Sequence, residues 1–444
     1  MPMYEAIFDL EAITPLFMRG ADARSPEFSS ASVKGVMRWW FRALAGGYFG
    51  NNIEALKEVE EKIFGSTRNK SRVFVRAEVE DVKKGNIYRQ ASSWADKTII
   101  VWSEYVDYFF FSVLDKRRNR KTKKIDIKTR FEYFDVGSKF SISLSSTDER
   151  YFRLAEASLW MTINLGGFGF RARRGAGSLK VTNAEGDVTL NFTKFDSLKK
   201  FSQELSNVVS QFNKAIRELD IKFEQSGREK EHYPNYPTFD QENSLVFTNE
   251  EWAASGKKET WIKALDNFGR WYLGRRRGRK FIDGFRFKFA DYTLSHALEK
   301  VKEDSIIKTV NSEPLKEKRY YLGLPIRYAN YGTTVSGWSG DLPLENKKLK
   351  KDNIVHRRAS GYWLSLIDIN GTIYPTVTVF AYQFYPNYRG AFYFEKQDNK
   401  TKARGLIYIY EDNYSAYLFY KRWIENIVQN SDKGKFVVLW PKKS

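Results

Sequence analysis

The chain has 444 residues, with 74 Lys and Arg side chains against 54 Asp and Glu, which gives a formal net charge of +20 at neutral pH. The absence of cysteine excludes disulfide scaffolds, thiolate metal sites and cysteine nucleophiles, and three histidines argue against a His-rich metal centre. An aromatic content of 16% excludes a mainly disordered chain, and a mean hydropathy of −0.55 without an apolar run of about 20 residues excludes a transmembrane protein.

The positive charge is concentrated in two parts of the chain. Residues 1–200 carry an excess of 9 positive side chains and residues 251–444 an excess of 15, whereas residues 201–250 carry an excess of 4 negative ones. Two basic halves favour a polyanionic partner, most often a nucleic acid. A heat-adapted surface rich in Lys and Glu is the alternative, but it does not explain the imbalance. Acidic residues at positions 5, 9 and 11 replace the apolar core of a secretory signal, so we expect a cytoplasmic protein with no membrane partner.

In chain order, the first half is predicted to mix strands and helices. Alternation of apolar and charged residues predicts strands over 4–13 and 72–80. Helical periodicity predicts one helix over 33–44, capped by Ser30 or Ser32, and a second over 53–64, capped by Asn51 or Asn52 and ended by Gly65. Further helices are predicted over 150–165 and 201–219, with a glycine-rich stretch and a strand over 178–182 between them.

The second half follows a polar, proline-bearing and locally acidic stretch over 221–243, which predicts a junction between two domains, 1–220 and 244–444. Asn370-Gly371, between two apolar runs, is a signal for a two-residue hairpin turn. Helices are predicted over 259–273 and 417–428, and strands over 244–248, 284–289, 320–328, 362–370, 372–382, 390–395 and 405–411. The sequence therefore predicts an α+β fold with antiparallel sheets.

The first helix is the first candidate site for phosphate. Lys34, Arg38 and Arg42 are spaced by four residues and so form one basic stripe, opposite an apolar side. An ordinary solvated face is the alternative interpretation. Trp39 is a candidate stacking surface beside the stripe, although a tryptophan in this position is more often part of the core.

The second candidate is the glycine-rich stretch 166–179, which contains three arginines. Its glycines allow a ligand to approach the backbone closely, and the planar guanidinium groups suit phosphate. The stretch follows a helix and precedes a strand, so it is not a dinucleotide-binding fingerprint, and it lacks the P-loop pattern. A flexible hairpin is the alternative. The residues concerned are Gly166, Gly167, Gly169, Gly175, Gly177, Arg171, Arg173 and Arg174.

Other candidates are weaker. Nine cations between 116 and 130 indicate a solvated loop, and two further basic clusters are 269–280 and the pair Arg357 and Arg358. Catalytic motifs are scarce, although a metal-independent ribonuclease needs only one placed general base. Asp22, in the loop that contains Arg19, is the one carboxylate to consider for that role, and an Asx turn is its ordinary interpretation.

Taken together, the motifs resemble those of the RAMP superfamily, and more narrowly the family of the subunit numbered one in Cmr, or type III-B CRISPR, effector complexes. The similarity spans about residues 1–180 and 320–365. The residues that carry it are TPLFMRGAD at 14–22, SVKGVMRWWFRAL at 32–44, IFG at 63–65, GGFGFRARRGAGSL at 166–179, GLPIRY at 323–328 and RRAS at 357–360.

This resemblance implies two tandem ferredoxin-like (RRM-related) domains and a non-catalytic subunit that needs no cofactor or metal. It implies contact with guide RNA near its 3′ region, with target RNA and with other Cmr subunits. Two alternatives stay open: a metal-independent guide-processing endoribonuclease of the RAMP class, using His356 or His232 as general base, and a carbohydrate-binding protein. Strong net charge and the lack of disulfides argue against the latter.

Overall fold

The computed structural model describes residues 3–193, 195–219, 221, 234, 236–256, 259–273, 361–382 and 436–441, and between 275 and 431 a set of separate strands and one further helix. The fold is mixed α and β with sheets that are mainly antiparallel, as the sequence predicts.

The first half contains nine strands and five helices in its described part. The strands are β1 (Tyr4–Ala12), β2 (Val73–Asp81), β3 (Lys84–Gly85), β4 (Tyr88–Ala91), β5 (Leu114–Arg118), β6 (Ile125–Thr129), β7 (Tyr133–Phe134), β8 (Lys139–Ser146) and β9 (Leu179–Gly186). The helices are α1 (Ser30–Phe49), α2 (Ile53–Phe64), α3 (Glu104–Phe109), α4 (Glu149–Asn164) and α5 (Leu198–Arg217).

The second half is described as strands around two helices, α6 (Thr260–Leu273) and α7 (Asn413–Ser431). Its strands are β10 (Ser244–Thr248), β11 (Ala254–Ser255), β12 (Arg275–Arg277), β13 (Lys280–Ile282), β14 (Ser305–Ile307), β15 (Gly323–Leu324), β16 (Ile326–Tyr328), β17 (Thr333–Trp338), β18 (Ile354–Val355), β19 (Arg358–Ala359), β20 (Tyr362–Ile369), β21 (Thr372–Phe380), β22 (Ala391–Gln397), β23 (Lys402–Tyr408) and β24 (Val437–Trp440). The predicted strand over 284–289 lies outside the described residues.

The two halves share one topology. In the first, the strands lie in the order β2–β8–β1–β9, with α1 between β1 and β2 and α4 between β8 and β9. In the second, β20–β21–β10–β24 is the same order, with α6 after β10 and α7 before β24. Each half is thus a strand–helix–strand–strand–helix–strand unit in which all neighbouring strands of this order are antiparallel.

The helix α1 begins earlier and ends later than predicted. The side chain of Ser29, rather than Ser30 or Ser32, caps the helix by accepting a hydrogen bond from the Ser32 amide at 3.4 Å. The predicted cap of α2 is confirmed, because the Asn52 side chain accepts from the Ala55 amide and Gly65 ends the helix with a positive φ.

An inserted subdomain separates β2 from β8. The strands β4, β6 and β5 form a small antiparallel sheet with its own apolar cluster, made of Ala91, Val101, Leu114, Ile125 and Ile127. The prediction of a solvated loop over 116–130 is wrong, because β5 and β6 form a hairpin here. Ile125 and Ile127 of β6 alternate with polar residues and point into this cluster, and β5 contributes Leu114 at its first position.

The halves pack against each other across a shared apolar core. Trp40 of α1 lies 5.5 Å from the ring of Trp363 and 6.0 Å from that of Phe380, measured between ring centroids. Polar contacts border this seam: the Leu366 amide donates to Ser178 Oγ at 3.0 Å. The hairpin between β20 and β21 turns at Asn370-Gly371, where both residues have positive φ, as the sequence predicts.

Candidate nucleic-acid interface

The basic stripe on α1 is partly occupied by a carboxylate. Glu60 of α2 is buried and lies between two of the arginines, with Arg42 Nη1 donating to both its oxygens at 3.1 and 3.2 Å. Arg38 Nη1 is 3.6 Å from the same carboxylate, and Arg38 Nη2 donates to the carbonyl of Gly65. Arg38 and Arg42 therefore hold α2 against α1. Contact of these residues and of Lys34 with RNA stays a prediction.

The ring of Trp39 packs against other rings of the protein and does not form an open stacking surface. Its ring centroid lies 4.9 Å from that of Trp363 and 5.5 Å from that of Phe380, both in the second half. The Arg173 guanidinium covers the Trp39 ring at 4.8 Å. The structure supports the core interpretation of this tryptophan, because its ring is used in the seam between the halves.

The glycines of the stretch 166–179 are required by close packing within the protein itself. Gly177 has φ +65°, and a Cβ there would lie 2.0 Å from the Phe168 carbonyl oxygen. At Gly175, which has φ +86°, a Cβ would lie 2.9 Å from Leu265 of α6. Protein atoms lie as near as 2.5, 3.0 and 2.6 Å to such a Cβ at Gly166, Gly167 and Gly169. Close packing within the protein therefore accounts for these glycines, and approach of a ligand to their backbone stays a prediction.

Two of the three arginines in this stretch join the halves. Arg173 lies between two indole rings, 4.4 Å from the Trp363 centroid as well as 4.8 Å from that of Trp39. Arg174 lies 4.9 Å over the Tyr362 ring and donates to Tyr272 Oη at a long 3.4 Å. Cation–π contacts of this kind stabilise partly buried guanidinium groups. These arginines are therefore seam residues, and their contact with RNA stays a prediction.

Arg171 differs from the other two because it lies beside exposed aromatic rings. Its guanidinium lies 4.4 Å from the Phe111 centroid and 5.6 Å from that of Phe170, and its Nε donates to Ser112 Oγ at 2.6 Å. Partial burial, and secondly the charge of Arg174, lower the pKa of Arg171 to about 10, so the side chain is still a cation at neutral pH. Within the described residues it forms no ion pair with a carboxylate.

Two further arginines lie on chain segments that are hydrogen-bonded next to Ser112 and Arg171. The Arg130 amide donates to the Val113 carbonyl at 3.0 Å, next to Ser112, and the Arg130 side chain is exposed. Arg19 is exposed as well, and its guanidinium lies 4.9 Å over the Phe131 ring. We call this set the Arg171 surface; it consists of Arg19, Arg130, Arg171, Phe111 and Phe170.

Asp22 stabilises the loop next to this surface. Its carboxylate accepts hydrogen bonds from the Arg24 amide at 2.9 Å and the Ser25 amide at 3.0 Å, which is the Asx turn expected from the sequence. These bonds, with the one to the Ser25 side chain first, lower the pKa of Asp22. A carboxylate whose pKa is lowered is a weaker base, so this geometry does not favour Asp22 as a general base.

The hairpin of β5 and β6 extends the positive potential. Lys116 pairs with Asp107 at 2.7 Å, and Arg117 pairs with Asp115 at 2.6 Å. The remaining cations of the hairpin are exposed, and none of them forms an ion pair with another described residue: Arg118, Arg120, Lys121, Lys123, Lys124 and Lys128. The positive charge of the run that is not paired within the described residues is densest at the turn of the hairpin, and contact of this run with RNA stays a prediction.

The open face of the first sheet is polar and acidic, unlike the basic and aromatic Arg171 surface. Its central strand β8 presents serines at 141, 143 and 145, and β1 presents Glu5, Asp9 and Glu11 beside them. Phe74, at the edge, is the one aromatic side chain on this face of the described strands. Sheets that bind RNA bases do so with central aromatic residues. The candidate interface is therefore the Arg171 surface and the hairpin, not the sheet.

Several predicted site residues lie outside the described part of the chain. These are Arg357, His232 and His356, while Arg358 is described only as backbone of β19. Among the described residues, no group of three or more His, Asp or Glu side chains is arranged to hold a metal ion. None of the helices searched there is both long enough and apolar enough to span a bilayer.

Sequence reasoning missed Phe111 and Phe170. The sequence does contain a signal for both residues. Three phenylalanines follow one another at 109–111, of which Phe109 and Phe110 are buried and Phe111 is left exposed, and Phe170 lies between a glycine and an arginine. It also missed Glu60, whose position on the inner face of α2 opposite the stripe depends on how the two helices pack.

Comparison with known proteins gives concordant matches. A model of the RAMP superfamily matches residues 9–180. The chain is 34% identical over 283 residues to the CRISPR system Cmr subunit Cmr1-1 of Pyrococcus furiosus, covering 62% of this chain and 74% of that protein. The crystal structure of Cmr1 from Pyrococcus furiosus in its apo form matches with a TM-score of 0.50 and 25% identity, over 98% of this chain and 99% of that one. A chain in a cryo-EM structure of the type III-B Cmr-beta complex bound to cognate target RNA is more distant, with 15% identity and a TM-score of 0.43 over 90% of this chain and 97% of that one.

Proposed function

The chain belongs to the RAMP superfamily and, within it, to the Cmr1 family, and on this basis we propose that it is a non-catalytic RNA-binding subunit of a Cmr, type III-B CRISPR, effector complex. Its partners are guide RNA near its 3′ region, target RNA and other Cmr subunits, and it acts in the cytoplasm. The observation that carries the proposal is the Arg171 surface, where the partly buried Arg171 guanidinium lies against the exposed rings of Phe111 and Phe170.

The shared strand order supports a second part of the proposal. We assign residues 1–220 and 244–444 to two tandem ferredoxin-like domains, joined by 221–243. The order of strands and helices is that of a β-α-β-β-α-β unit in both halves. The glycine-rich stretch then has a structural role, because it carries Arg173 and Arg174 into the seam between these domains.

RNA binding is expected to weaken steeply with salt. Arginines that contact phosphates displace condensed counterions, so a protein that neutralises about five phosphates of a single strand should lose about 100-fold in affinity between about 50 and 200 mM salt. Fluorescence anisotropy of a labelled single-stranded guide RNA at several salt concentrations measures this slope. A flat response, or no binding at low salt, would count against the proposal.

The alternative of an endoribonuclease is tested separately. We expect precursor RNA to remain intact when it is incubated with the purified protein in EDTA, because this proposal gives the chain no catalytic group. Denaturing gel electrophoresis of the RNA gives the result. Specific cleavage that disappears in His356→Ala or His232→Ala would replace the binding proposal with the enzymatic one.

A further inference from the structure

Two phenylalanines on the Arg171 surface are unusually open to solvent. The side chain of Phe111 is 64% exposed and that of Phe170 is 49% exposed, although most large aromatic residues in the described part of the chain lie in the core. They come from separate segments, the turn after α3 and the stretch before β9, and they meet at the same guanidinium. Exposed aromatic rings beside cations are the combination that single-stranded nucleic acids require.

The arginine between the rings is fixed and has free donors. Nε is held by Ser112 Oγ at 2.6 Å, and it is the one guanidinium nitrogen of Arg171 with a hydrogen-bond partner in the described part of the chain. The terminal Nη groups therefore remain available to a bidentate acceptor such as a phosphate. Among the described residues no carboxylate forms an ion pair with this guanidinium, so its positive charge is left for an incoming anion.

The backbone at Arg171 also carries a cost. Its φ of +67° and ψ of 14° lie in the left-handed region, which is unfavourable for a residue with a Cβ. The Phe170 amide donates a hydrogen bond to the Phe17 carbonyl at 2.7 Å. This bond and the left-handed conformation of Arg171 together fix the backbone from which the two side chains extend. A glycine would adopt this conformation without strain, so the position holds an arginine despite the cost.

We infer that the Arg171 surface binds one unpaired nucleotide of RNA, with its base stacked on Phe111 and Phe170 and its phosphate on the Nη groups of Arg171. The inference rests on the proposed function and adds to it the kind of RNA that is recognised. Double-stranded RNA keeps its bases paired and stacked inside the helix, so it does not offer this contact. Stacking accepts any base, so the site distinguishes strandedness and not sequence.

The test uses the full chain and a mixed-sequence single-stranded RNA with one 2-aminopurine. The double variant Phe111→Ala/Phe170→Ala should bind this RNA at least about tenfold more weakly at constant salt. Its salt slope should be unchanged, because no phosphate contact is lost, whereas Arg171→Ala should reduce the slope by about one contact. Quenching of 2-aminopurine fluorescence on binding should be smaller with the double variant.

Two controls separate stacking from other effects. Phe74→Ala removes another exposed phenylalanine, 60% exposed with Lys70 Nζ 5.9 Å from its ring, and should leave affinity unchanged. Phe111→Trp/Phe170→Trp should retain binding, since the indole ring also stacks. Both phenylalanines are exposed, so their replacement does not endanger the fold, and the melting temperature checks this.

The possible outcomes distinguish the two proposals. Steep salt-dependent binding by the wild type with equal affinity of the double variant overturns the stacking site and leaves the RNA-binding function standing. An equal loss of affinity for single-stranded and duplex RNA also overturns it, as does a loss of binding to another subunit with RNA affinity unchanged. Failure of the wild type to bind RNA overturns both.

Discussion

Replacing Trp40 by alanine should lower the free energy of unfolding by about 3–5 kcal/mol, the range for large aromatic residues lost from a core. Trp40 is fully buried, and its ring contacts Trp363 and Phe380 of the second half as well as Phe239. The substitution therefore leaves a cavity between the halves. Denaturant unfolding followed by tryptophan fluorescence and by circular dichroism measures both the loss and whether the transitions separate.

The matched control is Trp94→Ala. Trp94 is 58% exposed in the inserted subdomain, so its removal should change the free energy of unfolding by less than about 0.5 kcal/mol. A loss at Trp40 that is no larger than at Trp94 would contradict the shared core. Coincident transitions in both variants would show that the halves still unfold together.

Glu156→Ala should be the second large effect, about 3–5 kcal/mol, because it leaves several buried donors without their acceptor and removes one partner of Arg153. Glu156 is fully buried in α4, yet its carboxylate accepts from the Thr189 amide at 2.7 Å, from Thr189 Oγ1 at 2.8 Å and from the Leu190 amide at 3.2 Å. Arg153 Nη1 is 3.2 Å away. The segment after β9 is thereby fixed to the helix.

Chemical denaturation measures this loss, and limited proteolysis should show faster cleavage near 187–192. The control is Glu149→Ala, since Glu149 pairs with the same Arg153 at 3.2 Å but is 53% exposed. An exposed pair of this kind contributes under about 1 kcal/mol. If the two variants lost equal stability, burial of Glu156 would not be the cause.

The sequence predicted the elements whose pattern is local. The alternation in β1, the caps of α2 and the Asn370-Gly371 turn are each determined by residues a few positions apart, and the structure confirms them. The strand β8 was missed, although Phe140, Ile142 and Leu144 alternate with serines, because serine is also a loop residue. The hairpin of β5 and β6 was missed because Lys and Arg dominate this segment, and only Leu114, Ile125 and Ile127 indicate a buried side.

The candidate site was harder to predict than the fold. The cluster of arginines in the stretch 166–179 is visible in the sequence. The sequence does not show that Arg173 and Arg174 contact aromatic rings of the second half. Those rings are almost 190 residues away, and the contact depends on tertiary packing. The same limit explains Glu60, which pairs with Arg38 and Arg42 of the stripe from another helix. Phe111 and Arg171 likewise meet only after folding.

The last strand has a consequence for synthesis. Leu439 in β24 is buried, and its carbonyl accepts a hydrogen bond from Ser202 Oγ of α5 at 2.8 Å. A ribosome releases the chain from its amino end, so α5 emerges more than two hundred residues before the strand that covers it. Until β24 has been synthesised, the surface of α5 that it covers stays open to solvent. Removal of β24 would therefore affect the amino-terminal half as well as the carboxy-terminal one.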